Sequence, residues 1–199
     1  MSIVDLGPAA QRLAELVART RNEDLGRPTP CPAYKVGDLI DHVGGMARAF
    51  ANAARKAGGP YAEQSPAGDA AWLPADWRSA IPQDLVAVAA AWASPDAWTG
   101  MTRIAGSDGP AEIIGLSLAD ELVVHGWDLA RATGQAYDCE PEVLDAAEGF
   151  LVMVTSPDAP DGPDVPFGPS RPLPDDACSL DRVIALAGRE PGWMAVPGT

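Results

Sequence analysis

The sequence predicts an all-α bundle. Long stretches repeat apolar residues at the spacing of a helix, and almost none alternate with the two-residue period of a strand. Proline-rich runs separate these stretches, and proline removes the backbone donor a helix interior needs. The pattern gives a bundle of four long helices with shorter ones beside them, in a chain of 199 residues, a length that suits one domain.

The first helix is expected from Val4 to Leu25, with Leu6, Ala10, Leu13, Leu16 and Val17 facing inward and Arg12, Glu15 and Arg19 facing water. G-R-P-T-P-C-P-A-Y follows as an extended crossing anchored by Tyr34. The second helix runs from Val36 to Ala57 on a stripe of Val36, Leu39, Ile40, Val43, Met46, Ala47 and Phe50, and Gly58-Gly59-Pro60 stops it. His42 lies beside that stripe. The small pair Gly44-Gly45 permits close approach of a helix or a ligand.

Residues 58–80 read as a long, partly ordered loop whose Tyr61, Trp72 and Trp77 either cover a site or pack on the bundle. The third helix spans Pro82 to Ala93, with Pro82 in its first turn. Residues 94–110 suggest an extended excursion or a loose hairpin. The fourth helix starts near Pro110 and ends at Thr133, with Gly134 as its C-cap. The fifth runs from Pro141 to Val154. The proline- and aspartate-rich run from Ser156 to Asp176 is irregular. Ser179 then caps a short last helix, Leu180 to Ala187, ended by Gly188. Residues 1–199 form one domain, in which 158–199 is an irregular extension packed on the bundle.

A net charge of -14 repels phosphate backbones and anionic membranes, so neither a nucleic acid nor a membrane is an expected partner. The N-terminus lacks a basic start and a long apolar run, and no segment approaches the length of a membrane span. Cys31, Cys139 and Cys178 are odd in number and far apart, which fits free thiols in a reducing cytoplasm. A homodimer through bundle helices is compatible with the stripes.

The stretch S-L-A-D-E-L-V-V-H-G-W-D-L-A-R-A-T-G-Q carries the chemistry. Glu121 precedes His125 by four residues, so both leave one helix face, close to Leu118, Leu122 and Val124. A carboxylate turned toward a core is costly without a partner, and a divalent cation removes that cost. His42, the other of the two histidines, lies on a different helix. If the helices face each other, His42, Glu121 and His125 form a two-His, one-carboxylate set with open positions. Zinc is the first expectation, with nickel, iron(II) or cobalt as alternatives. A hydrogen-bonded core histidine beside an acid is the competing reading. Asp128 shares the face of His125 and could orient its ring, or could instead pair with Arg131. Asp38, one turn before His42, invites the same two readings. Cys31 reads either as a reactive thiol near a helix start or as a small buried packer.

T-P-C-P-A-Y-K-V-G-D-L-I-D-H-V-G-G, followed by E-L-V-V-H-G-W-D-L-A-R-A-T-G-Q and the ending A-L-A-G-R-E-P-G-W, resembles the actinobacterial metal-binding proteins of the DinB-like superfamily. Within it the chain resembles the N-terminal domain of mycothiol-dependent maleylpyruvate isomerase. The resemblance implies a DinB-like four-helix bundle with an extra short C-terminal helix and long Pro/Gly-rich loops. It also implies a divalent metal on His42, Glu121 and His125, and use of a thiol such as mycothiol. The isomerase has a further C-terminal domain that takes part in its activity. This chain is expected to be too short for it, which counts against isomerisation of maleylpyruvate itself.

Three functional readings follow. In the first, a thiol-dependent transferase or isomerase uses the metal to activate a small thiol against an electrophilic substrate. In the second, a hydrolase uses metal-bound water with Asp38 or Asp128 as base. In the third, the site binds a metal or a small molecule without catalysis.

Overall fold

The computed structural model describes residues 3–156 and 168–195. Four helices close a ring: α1 (Gly7–Arg19), α2 (Val36–Ala54), α4 (Trp77–Trp92) and α5 (Ala111–Thr133). Helices α1 and α2 each pack against both α4 and α5, so the core lies between two opposed pairs. Leu13, Val17, Leu39, Ile40, Val43, Met46, Leu85, Leu118 and Leu122 fill it and are essentially inaccessible. Helix α6 (Pro141–Thr155) packs on the outside of α5, and α7 (Ser179–Leu186) packs on α6. No described helix is long and apolar enough to cross a membrane.

Several boundaries move, each for a local reason. Helix α1 stops at Arg19, short of the expected Leu25, where the Thr20 hydroxyl donates to the Leu16 carbonyl at 2.8 Å and the backbone turns extended. A single 3-10 turn, Asn22–Asp24, follows, and its buried Asp24 is clamped by Arg21 and Arg27. Helix α2 ends at Ala54, three residues before the expected Ala57. Helix α4 starts at Trp77 rather than Pro82: Trp77, Ile81, Leu85, Val88 and Trp92 are all buried at helical spacing, and the proline falls inside the second turn.

The stretch 58–80 holds the short helix α3 (Pro60–Glu63) and a 3-10 turn, Ala70–Trp72. The excursion after α4 is a hairpin of β1 (Met101–Ile104) and β2 (Ser107–Pro110), with Met101 opposite Pro110 and Ile104 opposite Ser107. Gly134 ends α5 in the left-handed conformation, φ 71°, a geometry that favours glycine. The cap of α7 is Cys178, not Ser179: the Cys178 sulfur accepts from the Asp181 amide, and Ser179 is the first helical residue. Part of the proline- and aspartate-rich run, 157–167, lies outside the described residues.

Gly44 and Gly45 separate the two contacts that smallness was expected to permit. A Cβ on Gly44 would sit 3.0 Å from Ile81 of α4, and one on Gly45 would sit 2.9 Å from Pro66 of the following loop. One glycine admits a helix of the ring and the other admits the segment that crosses it.

Candidate metal centre

Adjacent helices bring the three sequence-selected side chains together. His42 comes from α2, and Glu121 and His125 from consecutive turns of α5. One ligand atom from each lies within 4.8 Å of the others. Glu121 Oε2 is 3.4 Å from His42 Nε2 and 3.2 Å from His125 Nε2. The two imidazole rings stand edge to face, 4.9 Å between centroids. The side chains are 12 % (His42), 23 % (Glu121) and 9 % (His125) exposed, so the cluster touches solvent on the glutamate side more than elsewhere.

Each ring is held from behind. His42 Nδ1 lies 2.8 Å from the Pro66 carbonyl oxygen, which only accepts, so Nδ1 carries the proton. His125 Nδ1 lies 3.1 Å from Asp128 Oδ2 and donates to it in the same way. In the neutral rings both lone pairs are therefore on Nε2, the atoms that converge on Glu121. Two imidazole lone pairs and one carboxylate with fixed tautomers fit a divalent first-row cation and leave further coordination positions to other ligands.

Asp128 is fully buried, and its Oδ2 also accepts from Arg189 at 3.1 Å. It does not pair with Arg131. That guanidinium donates to the Trp193 carbonyl at 2.7 Å and lies over the Trp127 ring. Asp38 does not orient His42. Its oxygens accept from the Lys35 amide at 3.0 Å and the Ala70 amide at 2.9 Å, so it caps α2 and pins the loop. The acceptor behind His42 is the Pro66 backbone, which residue types alone do not reveal.

The loop reaches His42 because Gly68 has no side chain. A Cβ there would lie 2.9 Å from His42 Cβ and would collide with the Asp38 carbonyl. Gly68→Ala is expected to lift the loop from α2, break the Pro66–His42 bond and weaken metal binding by about 10-fold. Metal titration beside a circular-dichroism control for helix content checks this.

Without a cation the cluster holds a proton. Burial opposes charge on His125, but hydrogen bonds and charge from Asp128 and Glu121 outweigh it and raise the imidazolium to about 10. Burial likewise opposes ionisation of Glu121, yet the two histidines hold its carboxyl far below the usual range. The raised His125 stabilises the metal-free fold fully below its unfolded value, and that contribution is lost as pH rises through about 10. The depressed Glu121 contributes above its unfolded value and loses that contribution as pH falls through its lower, folded one.

A pocket of about 280 Å³ opens on the cluster. Cys31, Ala33, Tyr34, Asp120, Val124 and Arg189 line the rest of it. Tyr34 stacks on His42 with centroids 5.1 Å apart. Burial, then the neighbouring Glu121 charge, pushes the Asp120 carboxyl well above the usual carboxylate range. Asp120 and Arg189 had no signal in the helical stripe. Both are polar residues drawn inside by tertiary contacts, and Arg189 comes from the far end of the chain. A larger cavity, about 610 Å³, lies between Val4, Trp98, Leu116 and Ala146 and touches none of the three candidate ligands.

The model of the mycothiol maleylpyruvate isomerase N-terminal domain family matches residues 6–130. Two uncharacterized proteins of Mycobacterium tuberculosis, from strains CDC 1551 / Oshkosh and ATCC 25618 / H37Rv, are each 32% identical to this chain over 183 residues, covering 91% of it and 93% of their own length. The crystal structure of the mycothiol-dependent maleylpyruvate isomerase is similar in fold, with a TM-score of 0.53 at 18% identity. A histidine-to-alanine mutant of that isomerase gives a TM-score of 0.57, also at 18% identity. Both likenesses cover 73% of this chain but only 65% of the isomerase chain. With well over half of its length matched by the family model, this chain belongs to the mycothiol maleylpyruvate isomerase N-terminal domain family.

Proposed function

We propose that this protein is a divalent-metal enzyme that works with a low-molecular-weight thiol of the mycothiol type, as a transferase or an isomerase. The observation that carries the reading is the convergence of His42 Nε2, His125 Nε2 and Glu121 on one point at the edge of a pocket. When bound there, a cation supplies the positive charge that deprotonates a coordinating thiol near neutral pH.

The chain's own residues prepare the place. The Pro66 carbonyl and Asp128 hold the two rings in the tautomer that presents Nε2. Tyr34, Ala33 and Val124 give the pocket apolar surface that displaces water. Arg189 donates to Asp128 Oδ2 and holds that carboxylate in position behind the His125 ring. The hydrolase reading loses its two named bases. Asp38 is committed to backbone amides, and buried Asp128 to His125 and Arg189.

Metal uptake displaces the His125 proton, so affinity climbs with pH up to about 10. A slope of about one log unit of apparent affinity per pH unit is expected for that single proton between neutrality and pH 9. Zinc titrations at several pH values check it, and a pH-independent affinity contradicts it.

The function itself is tested by calorimetry of the zinc-loaded protein with mycothiol, followed by turnover of electrophilic substrates with and without the thiol. Binding that needs both zinc and the intact cluster supports the reading. Turnover of substrates by water alone, unchanged by thiol, favours the hydrolase instead.

A further inference from the structure

The three cysteines occupy three different settings. Cys178 is exposed and caps α7. The Cys139 thiol is partly buried, and that burial, with the nearby Glu140, pushes it up to about 11. Cys31 is 8% exposed and forms part of the wall of the pocket beside the candidate metal ligands.

Two other residues of that wall, Asp120 and Arg189, are 1% and 6% exposed. Each carries a buried atom with no hydrogen-bond partner among the described residues, Asp120 Oδ1 and Arg189 Nε. Unpaired buried polar atoms are expensive, so this wall keeps unused hydrogen-bonding capacity next to the pocket. The thiol therefore lines a pocket together with two buried polar side chains that are not fully hydrogen-bonded.

We propose that Cys31 is a thiol–disulfide exchange site, reached only through this pocket and specific for small disulfides. The Cys31 sulfur attacks one sulfur of a guest R–S–S–R. A Cys31 Sγ–S–R bond forms and the guest's S–S bond breaks. The Cys31 proton passes to water, and the departing R–S⁻ takes one up. Cys31 is oxidised, the departing sulfur is reduced, and the guest disulfide is the only oxidant needed. The adduct fills the space beside His42, Glu121 and His125 and closes the site to a thiol ligand. That closure rests on the proposed thiol chemistry, whereas the exchange itself does not.

The test uses the full chain carrying Cys178→Ser, which removes the exposed thiol and leaves a residue well suited to capping. The folded protein is incubated with hydroxyethyl disulfide, and adducts are located by intact mass and peptide mapping. One adduct is expected, on Cys31. It should form at least about 10-fold faster than any on Cys139, whose thiolate is scarce at neutral pH, and dithiothreitol should reverse it. In urea the preference for Cys31 should shrink to within about 3-fold as the two environments equalise. No Cys31 adduct in the folded protein, with ready labelling in urea, overturns the proposal. So does equal labelling of Cys31 and Cys139 in the folded state. A separate calorimetric titration of unmodified zinc-loaded protein with 2-mercaptoethanol separates the two readings. Failure there removes the thiol chemistry and the closure, while a Cys31 adduct still supports exchange.

Discussion

His125→Ala protein, purified beside wild type, is expected to lose the bound cation, with a fall in affinity greater than about 100-fold. Outer-shell partners of a metal ligand are alone worth about 10–100-fold, and this substitution removes the ligand itself. Elemental analysis of both samples reads the result directly. Equal metal in the two, or none in either after loading with zinc, counts against the site. His125→Asn is a useful companion because it keeps a polar group between Glu121 and Asp128, which alanine would leave facing one another. If both variants retain helix content and neither holds zinc, the loss is one of coordination and not of folding.

Arg189→Met is expected to cost about 3–5 kcal/mol, because removing one partner of a buried ion pair leaves the other uncompensated. The other partner is Asp128, with no exposed surface, and its Oδ1 already lacks a hydrogen bond among the described residues. For a chain of this size the loss corresponds to a fall of roughly 10 °C or more in Tm, which thermal denaturation followed by circular dichroism measures. Adding Asp128→Leu should recover much of the stability but not the zinc affinity, since the His125 ring then has no acceptor at Nδ1. A single variant as stable as wild type would mean that Asp128 finds relief elsewhere.

The parts of the site that were legible in sequence share one property: each is a side chain on a regular element. Glu121 and His125 are related by the helical period, and His42 lies beside a clean apolar stripe. What escaped was held by contacts across the fold. The Pro66 carbonyl has no side-chain signature, and the loop that delivers it is placed by Asp38, Asp41 and Gly68. Asp38 looked like a partner for His42 at one turn's distance, but two backbone amides occupy it instead. Helix boundaries failed where local chemistry had two solutions. Pro82 suits a first turn, yet burial of Trp77 and Ile81 carries α4 further back. Thr20 ends α1 by bonding its own helix, and the polar run Arg19–Asp24 that follows supplies no inward face to carry the helix on to Leu25. Ser179 looked like the cap of α7, but its neighbour Cys178 holds that place.

The Asp128–Arg189 pair spans 61 residues of chain. Synthesis proceeds from the N-terminus at about 5–20 residues per second, so Arg189 is made roughly 3–12 s after Asp128. Throughout that interval α5 carries a carboxylate meant for the interior with no guanidinium to meet it. The ring of four helices can gather in the meantime, but the backing of His125 is finished only when the tail arrives. If the proposed centre takes up a cation, firm loading is therefore expected to follow translation.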